Sequence, residues 1–267
     1  MQPFHLAAYL ENVANVTNSD INAVPDDVLQ TRNSHLIISE PMNLIARFSM
    51  GASLTRARFG NVALTYRGVP HFFPMIDSAT VPTRPEIENL IRSPIKLPIN
   101  EEITIEATTT AVGPQDVQFP LWIARPEWRP IEPAGEEIGW VRATVVIAAG
   151  AEAAWTAPVA ITLERDLYNG VYAVVGAHVI AANSVAFRMD FRTQPCKDGR
   201  KFRPGGLVMN AIGDVPSELQ GYGLGEWGRF STFELPSIQT LDDTAGGTYE
   251  VRLRLKYLGS ELSLLQA

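Results

Sequence analysis

One stretch of the sequence matches a nucleotide-binding motif by its spacing. Residues 223–228 read Gly-Leu-Gly-Glu-Trp-Gly, which spells G-x-G-x-x-G. In dinucleotide-binding proteins this motif follows a strand and opens a helix, because the helix N-terminus holds the pyrophosphate. Here Gly221 precedes the motif and the β-prone residues 229–233 follow it. We therefore interpret the stretch as a glycine loop and predict that it holds no nucleotide cofactor.

The histidines and the cysteine lack the spacing typical of metal sites and of nucleophilic catalysis. Zinc and iron sites in small β-barrels need closely spaced histidines together with a carboxylate. The four histidines lie far apart in the chain, at His5, His35, His71 and His178. Of these, His178 lies in an apolar run and is interpreted as a core histidine. Cys196 is the single cysteine, which excludes an internal disulfide and a cysteine-based zinc site, so we interpret it as a loop thiol.

Adjacent acidic residues are the remaining candidates for catalysis. They occur as Asp26-Asp27, Glu101-Glu102, Glu136-Glu137 and Asp242-Asp243. A glycosidase needs two carboxyl groups roughly 5–9 Å apart across a cleft, a separation that sequence alone does not supply. We interpret the pairs as solvated turn residues. The last pair is also a candidate for a structural calcium, a possibility that stays open although the D-x-D-x-D-G pattern is absent. We predict no enzymatic activity and no catalytic, cofactor-binding or metal-binding residues.

The tryptophans offer a possible binding chemistry, because exposed aromatic rings can stack on sugars. Trp122 and Trp140 lie in apolar strand-like segments, which predicts that both are in the core. Trp128 lies in a proline-rich stretch and Trp227 in the glycine loop, so these two are the candidates for exposure. The alternative for both is packing between domains or subunits, where aromatic residues are enriched.

Composition and charge limit the function further. The chain has 267 residues, of which 46% are hydrophobic and 19% charged, so it can bury a core without disulfides or metal. A net charge of −7 disfavours extended binding to nucleic acid, and we interpret Arg56, Arg58 and Arg67 as a solvated face. Residues 1–16 lack a basic start and an unbroken apolar run, which predicts no signal peptide.

The pattern of apolar residues predicts an all-β protein. Nineteen prolines and twenty glycines divide the chain into short segments, and residues 248–258 alternate between apolar and charged side chains. Near the N-terminus, mixed three- and four-residue spacings over residues 3–16 predict a short helix. The predicted organisation is an N-terminal helical arm over 1–34, a β-sandwich over 35–125, a proline-rich linker over 126–138, a second β-sandwich over 139–258 and a tail over 259–267.

The two halves of the chain also resemble each other. Residues 44–50 are followed by the strand-like residues 102–107, and residues 185–191 are followed at a similar distance by residues 248–253. A stretch rich in glycine and proline separates the members of each pair. A duplication of this kind predicts two tandem jelly-roll-like β-sandwiches, since one jelly roll has eight strands. About twelve strands are readily predicted. Either short strands lie within residues 51–98 and 195–228, or the chain has another sandwich arrangement.

In this organisation the chain resembles the double jelly-roll major capsid proteins of tailless icosahedral bacteriophages that contain a membrane. The resemblance extends over residues 36–258 and rests on architecture rather than on a diagnostic motif. It implies a viral structural protein that is made in the host cytoplasm and located in the virion. It also implies homotrimeric capsomers in an icosahedral capsid, contacts with neighbouring capsomers and minor capsid proteins, and an internal membrane contacted by residues 1–30.

Two other functions stay open. One is a carbohydrate-binding or adhesin-like β-sandwich module, such as a virion spike, minor capsid or tail component. The other is an all-β hydrolase whose site forms only in three dimensions. The apolar residues of 68–98 and 195–228, among them Phe72 and Phe73, are expected to be buried between subunits or against the sandwich ends of their own chain.

Overall fold

The computed structural model describes residues 4–51, 53–61, 71–72, 87–192, 201–211 and 217–265. Of these residues 52% are in strands and 4% in helices, which confirms the all-β prediction. Within the described residues no helix has the length and apolarity needed to cross a membrane. Arg67, Cys196 and much of the segment 68–98 lie outside them.

Twenty-one strands and two short helical turns form the described chain. In the N-terminal half the strands are β1 (His5–Val13), β2 (Ser19–Asp20), β3 (Gln30–Arg32), β4 (His35–Ile37), β5 (Met42–Arg47), β6 (Met50–Gly51), β7 (Leu54–Asn61), β8 (His71–Phe72), β9 (Glu88–Asn89), β10 (Ile95–Leu97), β11 (Glu102–Thr109) and β12 (Gln115–Ala124). In the C-terminal half they are β13 (Glu136–Ile147), β14 (Val159–Ala160), β15 (Thr162–Leu163), β16 (Val171–Ile180), β17 (Ala186–Asp190), β18 (Gly205–Leu207), β19 (Gly228–Ser231), β20 (Ser237–Thr240) and β21 (Gly247–Gly259). The helical turns are a π-helical turn at Leu219–Gly223 and a 3-10 turn at Leu262–Leu265.

The chain divides into two compact units at the bond between Pro126 and Glu127. The first sandwich consists of the described residues from Ala7 to Pro126, and the second of those from Glu127 onward together with residues 4–6. Each unit contains two β-sheets, and the long strand pairs β5–β12, β7–β11, β13–β21 and β16–β21 are antiparallel. Both units are therefore all-β.

In the first sandwich both sheets contain six strands. One has the order β1-β12-β5-β10, with β6 beside β12 and β9 beside β5, and the other has the order β3-β4-β11-β7-β8, with β2 beside β11. The large side chains of Tyr9, Phe48, Phe119 and Trp122 are fully buried and fill the core of this unit. Three of these are aromatic rings on β1 and β12, where close packing of large apolar areas stabilises the sheet.

In the second sandwich one sheet has the order β15-β13-β21-β16-β19 and the other has the order β14-β20-β17-β18. The strand β21 pairs with β13 from Gly247 to Tyr257 and with β16 from Glu250 to Gly259. Its alternating sequence explains this position, because Val251, Leu253 and Leu255 are buried on one face while the charged residues between them lie on the other. The run on β16 is buried on both faces, as its continuous apolar sequence predicts.

The two units share one order of strand pairing. If the eight main strands of each unit are counted along the chain, one sheet has the order first-eighth-third-sixth and the other second-seventh-fourth-fifth. The first sandwich follows this order with β1, β4, β5, β7, β8, β10, β11 and β12. The second follows it with β13, β14, β16, β17, β18, β19, β20 and β21. The strands that the sequence did not readily predict include β8, β10 and β18, which lie within residues 51–98 and 195–228.

The N-terminal helix predicted over residues 3–16 is wrong, because His5–Val13 is a strand. All the residues from Phe4 to Leu10 are buried. A segment that is covered on both faces needs no alternation, so apolar residues occur in it at helical spacings without forming a helical face.

The proline-rich linker predicted over residues 126–138 is packed against the second sandwich. Its last residues, from Glu136, already belong to β13. Pro130 and Ile131 lie so close to Gly225 that a Cβ atom there would come within 2.6 Å of their backbone. Glu132 accepts hydrogen bonds from Arg254 at 2.7 Å and from Lys256 at 2.8 Å. These contacts fix the segment to the sheet that contains β21.

Candidate functional site

A row of basic and aromatic side chains crosses one sheet of the second sandwich. Arg142 on β13 and His178 on β16 are both Cα partners of Arg252 on β21. In the neighbouring row Trp140 is the partner of Arg254. Side chains alternate along a strand, so these residues share the face opposite to the buried core residues. The sheet pairing thus brings together residues that are up to 114 positions apart in the sequence (254 minus 140).

The π-helical turn Leu219–Gly223 covers part of this face. A Cβ atom on Gly176 would lie 2.4 Å from the carbonyl oxygen of Gly221, so only glycine at position 176 allows the turn to approach the sheet this closely. The side chain of Gln220 holds the turn in place: its Oε1 accepts a hydrogen bond from the backbone N–H of Leu207 at 2.9 Å, and its Nε2 donates to the carbonyl of Leu207 at 3.1 Å.

Between the turn and the sheet lies an open cleft of about 470 Å³. We call it the aromatic cleft, and its lining includes the side chains of Trp140, Arg142, His178, Glu218, Tyr222 and Arg252. The indole of Trp140 stacks on the imidazole of His178, with ring centroids 4.9 Å apart and planes inclined by 21°. Tyr222 stands edge-on to the indole at 6.2 Å, and the indole N–H donates a 3.3 Å hydrogen bond to the hydroxyl of Tyr222.

Ion pairs hold the charged residues of the cleft in position. Glu250 accepts a hydrogen bond from Arg142 at 2.8 Å and another from Arg252 at 2.6 Å. The hydrogen bond from Arg142 and then that from Arg252 outweigh the effect of partial burial, so the pKa of Glu250 is below its ordinary value. Glu164 lies 3.4 Å from Arg142, and the guanidinium of Arg254 lies 4.6 Å from the centroid of the Tyr222 ring. Charges of both signs therefore surround the aromatic rings.

His178 is the most enclosed polar group of the cleft. The residue is only 4% exposed, and burial, followed by the nearby charge of Arg252, lowers the pKa of its imidazole to about 4. The ring is therefore neutral at pH 7, with one nitrogen as donor and the other as acceptor. Its Nδ1 has no hydrogen-bond partner within the described part of the chain. His178 is buried, as predicted, but its ring also lines the cleft.

The glycine motif at residues 223–228 has a packing role in the structure. The π-helical turn ends at its first residue, Gly223, and the strand β19 begins at its last, Gly228. Gly225 has a φ of +67°, and a Cβ atom on Gly228 would lie 2.5 Å from the ring of Phe191. Glu226 pairs with Arg229 at 2.6 Å. These observations agree with the interpretation of a glycine loop.

Neither His5 nor His35 lines the cleft. His5 is buried, and its Nδ1 accepts a 3.1 Å hydrogen bond from the backbone N–H of Arg203. His35 lies on β4, and the side chain of His71 is outside the described residues. Within the described residues no group of three or more His, Cys, Asp and Glu side chains is placed to hold a metal ion.

Two of the acidic pairs are more buried than the sequence predicts. Asp243 is fully enclosed and accepts hydrogen bonds from Thr240, Tyr249 and the backbone of Gly246, while Glu101 is also buried. The prediction of solvated turns is therefore wrong for these two carboxylates. Asp26 instead fits a turn, because it accepts hydrogen bonds from the backbone N–H groups of Val28 and Leu29.

The burial of the tryptophans differs most from what the sequence predicted. Trp128 and Trp227, the candidates for exposure, are buried around Phe4, with ring centroids 6.2 Å and 5.2 Å from it. Trp140, predicted to be in the core, is 37% exposed. Trp122 is in the core, as predicted. The alternation along residues 248–258 did place Arg252 and Arg254 on the solvent face, but no sequence signal indicated which strands flank them.

Neither the scan against protein-family models nor the search of curated proteins returned a match.

Proposed function

We propose that this chain is a major capsid protein, a double jelly roll that assembles as trimers into an icosahedral shell. The observation that carries the proposal is the strand order shared by the two units. In each unit, one sheet has the order first-eighth-third-sixth and the other second-seventh-fourth-fifth. Two sheets built from eight strands in this order support a jelly roll, an architecture found among viral capsid domains.

The tandem repetition favours a shell protein over the other users of this architecture. Lectin domains and cupins also have jelly-roll folds, so one roll alone does not indicate a function. Here two sandwiches with the same strand order follow each other in one chain of 267 residues, with extra short strands at β2, β3, β6, β9 and β15. Most of the chain is thus devoted to the two sandwiches, as expected of a protein whose role is to fill area in a shell.

The residues proposed for a carbohydrate-binding module do not support that alternative. Trp128 and Trp227 are buried against Phe4 and are not available for stacking on a sugar. A contact of residues 1–30 with an internal membrane would likewise have to use residues other than Phe4 to Leu10, which are buried within the chain.

Exposed apolar side chains supply candidate contacts between copies. Val112 is fully exposed on the first sandwich, and Phe233 is 78% exposed on the second. Single exposed apolar residues are common on monomeric proteins. A shell subunit, however, needs contacts with several neighbours, and apolar side chains on both units meet that requirement. We therefore assign these two positions to subunit contacts within the proposed shell.

The oligomeric state of the purified protein tests the proposal. We expect a trimer by multi-angle light scattering at micromolar concentration, and closed or curved shells by electron microscopy when the concentration is raised. Stable specific interfaces bury more than about 1,000 Å², so such a trimer should persist on dilution. A monomer that forms no larger particle under any of these conditions would refute the proposed function.

A pair of substitutions identifies the contacts. The double variant Val112→Asp, Phe233→Asp should assemble less than the wild type because it places charges at apolar contacts. The matched control is Thr162→Asp, which adds a charge at an exposed position of β15. Circular dichroism should show that all variants keep their β-sheet. Equal assembly of the double variant and the control would exclude these two positions as contacts.

A further inference from the structure

We propose that the aromatic cleft of the second sandwich is a binding site for a neutral saccharide. This inference concerns a different part of the molecule from the two buried tryptophans, and it does not depend on whether the chain forms a shell. The cleft volume of about 470 Å³ lies within the range of small-molecule sites, roughly 300–1,000 Å³.

The aromatic walls suit the apolar face of a sugar ring. Trp140 is 37% and Tyr222 61% exposed, although both are large rings that would be expected in a core. Each has an amphipathic character, with an apolar body and a polar tip, and the tips are already joined by the 3.3 Å hydrogen bond between them. The rings are thus fixed relative to each other and leave apolar surface open to a ligand.

The polar groups of the cleft suit a ligand that is uncharged and carries many hydroxyl groups. The guanidinium groups of Arg142 and Arg252 are balanced by Glu250 and Glu164, and Glu218 adds a carboxylate at the cleft. A ligand with a single strong charge would meet groups of both signs. Sugar hydroxyls both donate and accept hydrogen bonds, so they can use arginine donors and carboxylate acceptors at the same time.

His178 adds a polar group to the wall of the cleft. Its imidazole is 4% exposed and stacks on Trp140. A Cβ atom on Gly221 would lie 3.4 Å from its Nε2, so this nitrogen is next to the turn that lines the cleft. A nitrogen of a neutral imidazole donates or accepts a hydrogen bond, which suits a sugar hydroxyl.

The cleft is also held open before any ligand arrives. The π-helical turn is fixed by Gln220, and at Gly221 an added Cβ atom would lie 3.4 Å from the Nε2 of His178 and 3.7 Å from the Cζ2 of Trp140. A side chain at position 221 would therefore occupy the space next to both rings. A site that needs no rearrangement loses less binding free energy to ordering.

Binding to a defined panel tests the proposal. The probes are neutral oligosaccharides of glucose, galactose, mannose and N-acetylglucosamine, with uronic-acid and sialylated oligosaccharides as the charged comparison. We expect at least one neutral probe to bind and to change the tryptophan fluorescence, because Trp140 lines the cleft. Tyr222→Ala and Gly221→Val should each weaken this binding at least ten-fold.

The matched control is Tyr168→Ala, since Tyr168 is an 84% exposed tyrosine of the same unit and does not line the cleft. Because Tyr222 is also exposed, its removal should leave the fold intact, which thermal unfolding verifies. Equal binding by Tyr222→Ala and Tyr168→Ala would overturn the proposal. So would a preference for the charged probes, or the absence of binding by any neutral probe at millimolar concentration.

Discussion

The two sandwiches share a strand order but connect their sheets through different buried chemistry. In the first, a tyrosine on the first strand, β1, joins the two sheets through backbone groups. In the second, a tyrosine on the last strand, β21, joins the sheets through a buried carboxylate. The comparison shows that the order of strands does not dictate which polar groups are placed between the sheets.

In the first sandwich the hydroxyl of Tyr9 bridges to the opposite sheet. It donates a 2.5 Å hydrogen bond to the carbonyl of Ile103 on β11 and accepts a 3.1 Å bond from the backbone N–H of Leu36 on β4. Burial raises the pKa of this hydroxyl well above its ordinary value, so it stays protonated. All the groups of this bridge are neutral.

In the second sandwich the bridge contains Asp243, in the loop between β20 and β21. Its carboxylate accepts hydrogen bonds from Tyr249 on β21 at 2.6 Å, from Thr240 on β20 at 3.1 Å and from the N–H of Gly246 at 2.8 Å. Burial, followed by the bond to Asp243, raises the pKa of Tyr249. A hydrogen bond to a charged group stabilises a protein by about 1.5–3 kcal/mol, whereas a hydrogen bond between neutral groups contributes about 0.5–1.5 kcal/mol.

The largest expected effect follows from removing the carboxylate. Asp243→Ala leaves the three donors without their acceptor inside the second sandwich, which should lower its free energy of unfolding by about 3–4 kcal/mol. Urea unfolding followed by tryptophan fluorescence measures this, because Trp128, Trp140, Trp155 and Trp227 lie in that unit. The exposed Asp166→Ala is the control and should change little. Similar values for the two variants would show that the carboxylate bridge is unimportant.

Acid should weaken the second sandwich through His178. The folded pKa is about 4 against an ordinary 6.5, so between these values the unfolded chain binds a proton that the folded chain does not. Stability is therefore full above pH 6.5 and falls as the pH drops toward 4, by on the order of 2–3 kcal/mol.

The comparison variant for this acid effect is His178→Phe, which keeps a ring against Trp140 and cannot titrate. Subtracting the unfolding free energy of this variant from that of the wild type removes the contribution of carboxylates that both proteins share, such as Glu250. The difference should change with pH only in the window from 6.5 to 4. Parallel pH profiles for the two proteins would contradict the assigned cause.

The two tyrosine bridges can be compared directly. Tyr249→Phe should lower the stability of the second sandwich by about 2 kcal/mol, and Tyr9→Phe that of the first by about 1 kcal/mol, because only the former loses a charged acceptor. Hydrogen exchange resolved by peptide reports each unit separately. Equal losses, or a larger loss for Tyr9→Phe, would show that charge is not what distinguishes the bridges.

The smallest loss of stability is expected for a substitution at the surface. Burial raises the pKa of Glu132, but the hydrogen bonds that it accepts from Lys256 and Arg254 lower it by more. The pKa of Glu132 is therefore below its ordinary value. The residue is partly exposed, so Glu132→Gln should lower stability by less than about 1 kcal/mol. The loss should shrink in high salt, which screens exposed charges. A loss that salt does not change would indicate a packing role for this residue.

Sequence patterns predicted the strands whose two faces differ. Residues 102–110 and 248–258 alternate and are confirmed as β11 and β21. They did not predict β1, where burial on both faces removes the alternation, nor short strands such as β8 and β18. Short strands depend on a neighbouring strand for their hydrogen bonds, so their own two or three residues carry little signal.

The sequence by itself determined the all-β class and the solvent face of β21. Both follow from local properties: β propensity and period-two alternation. Only the tertiary structure decided that Trp227 is buried, that Trp140 is exposed and that His178 lies beside Arg252. Those outcomes depend on which distant strands become neighbours. That choice is made by the packing of the whole sheet, since one strand's pattern specifies which face is apolar but not which strand lies next to it.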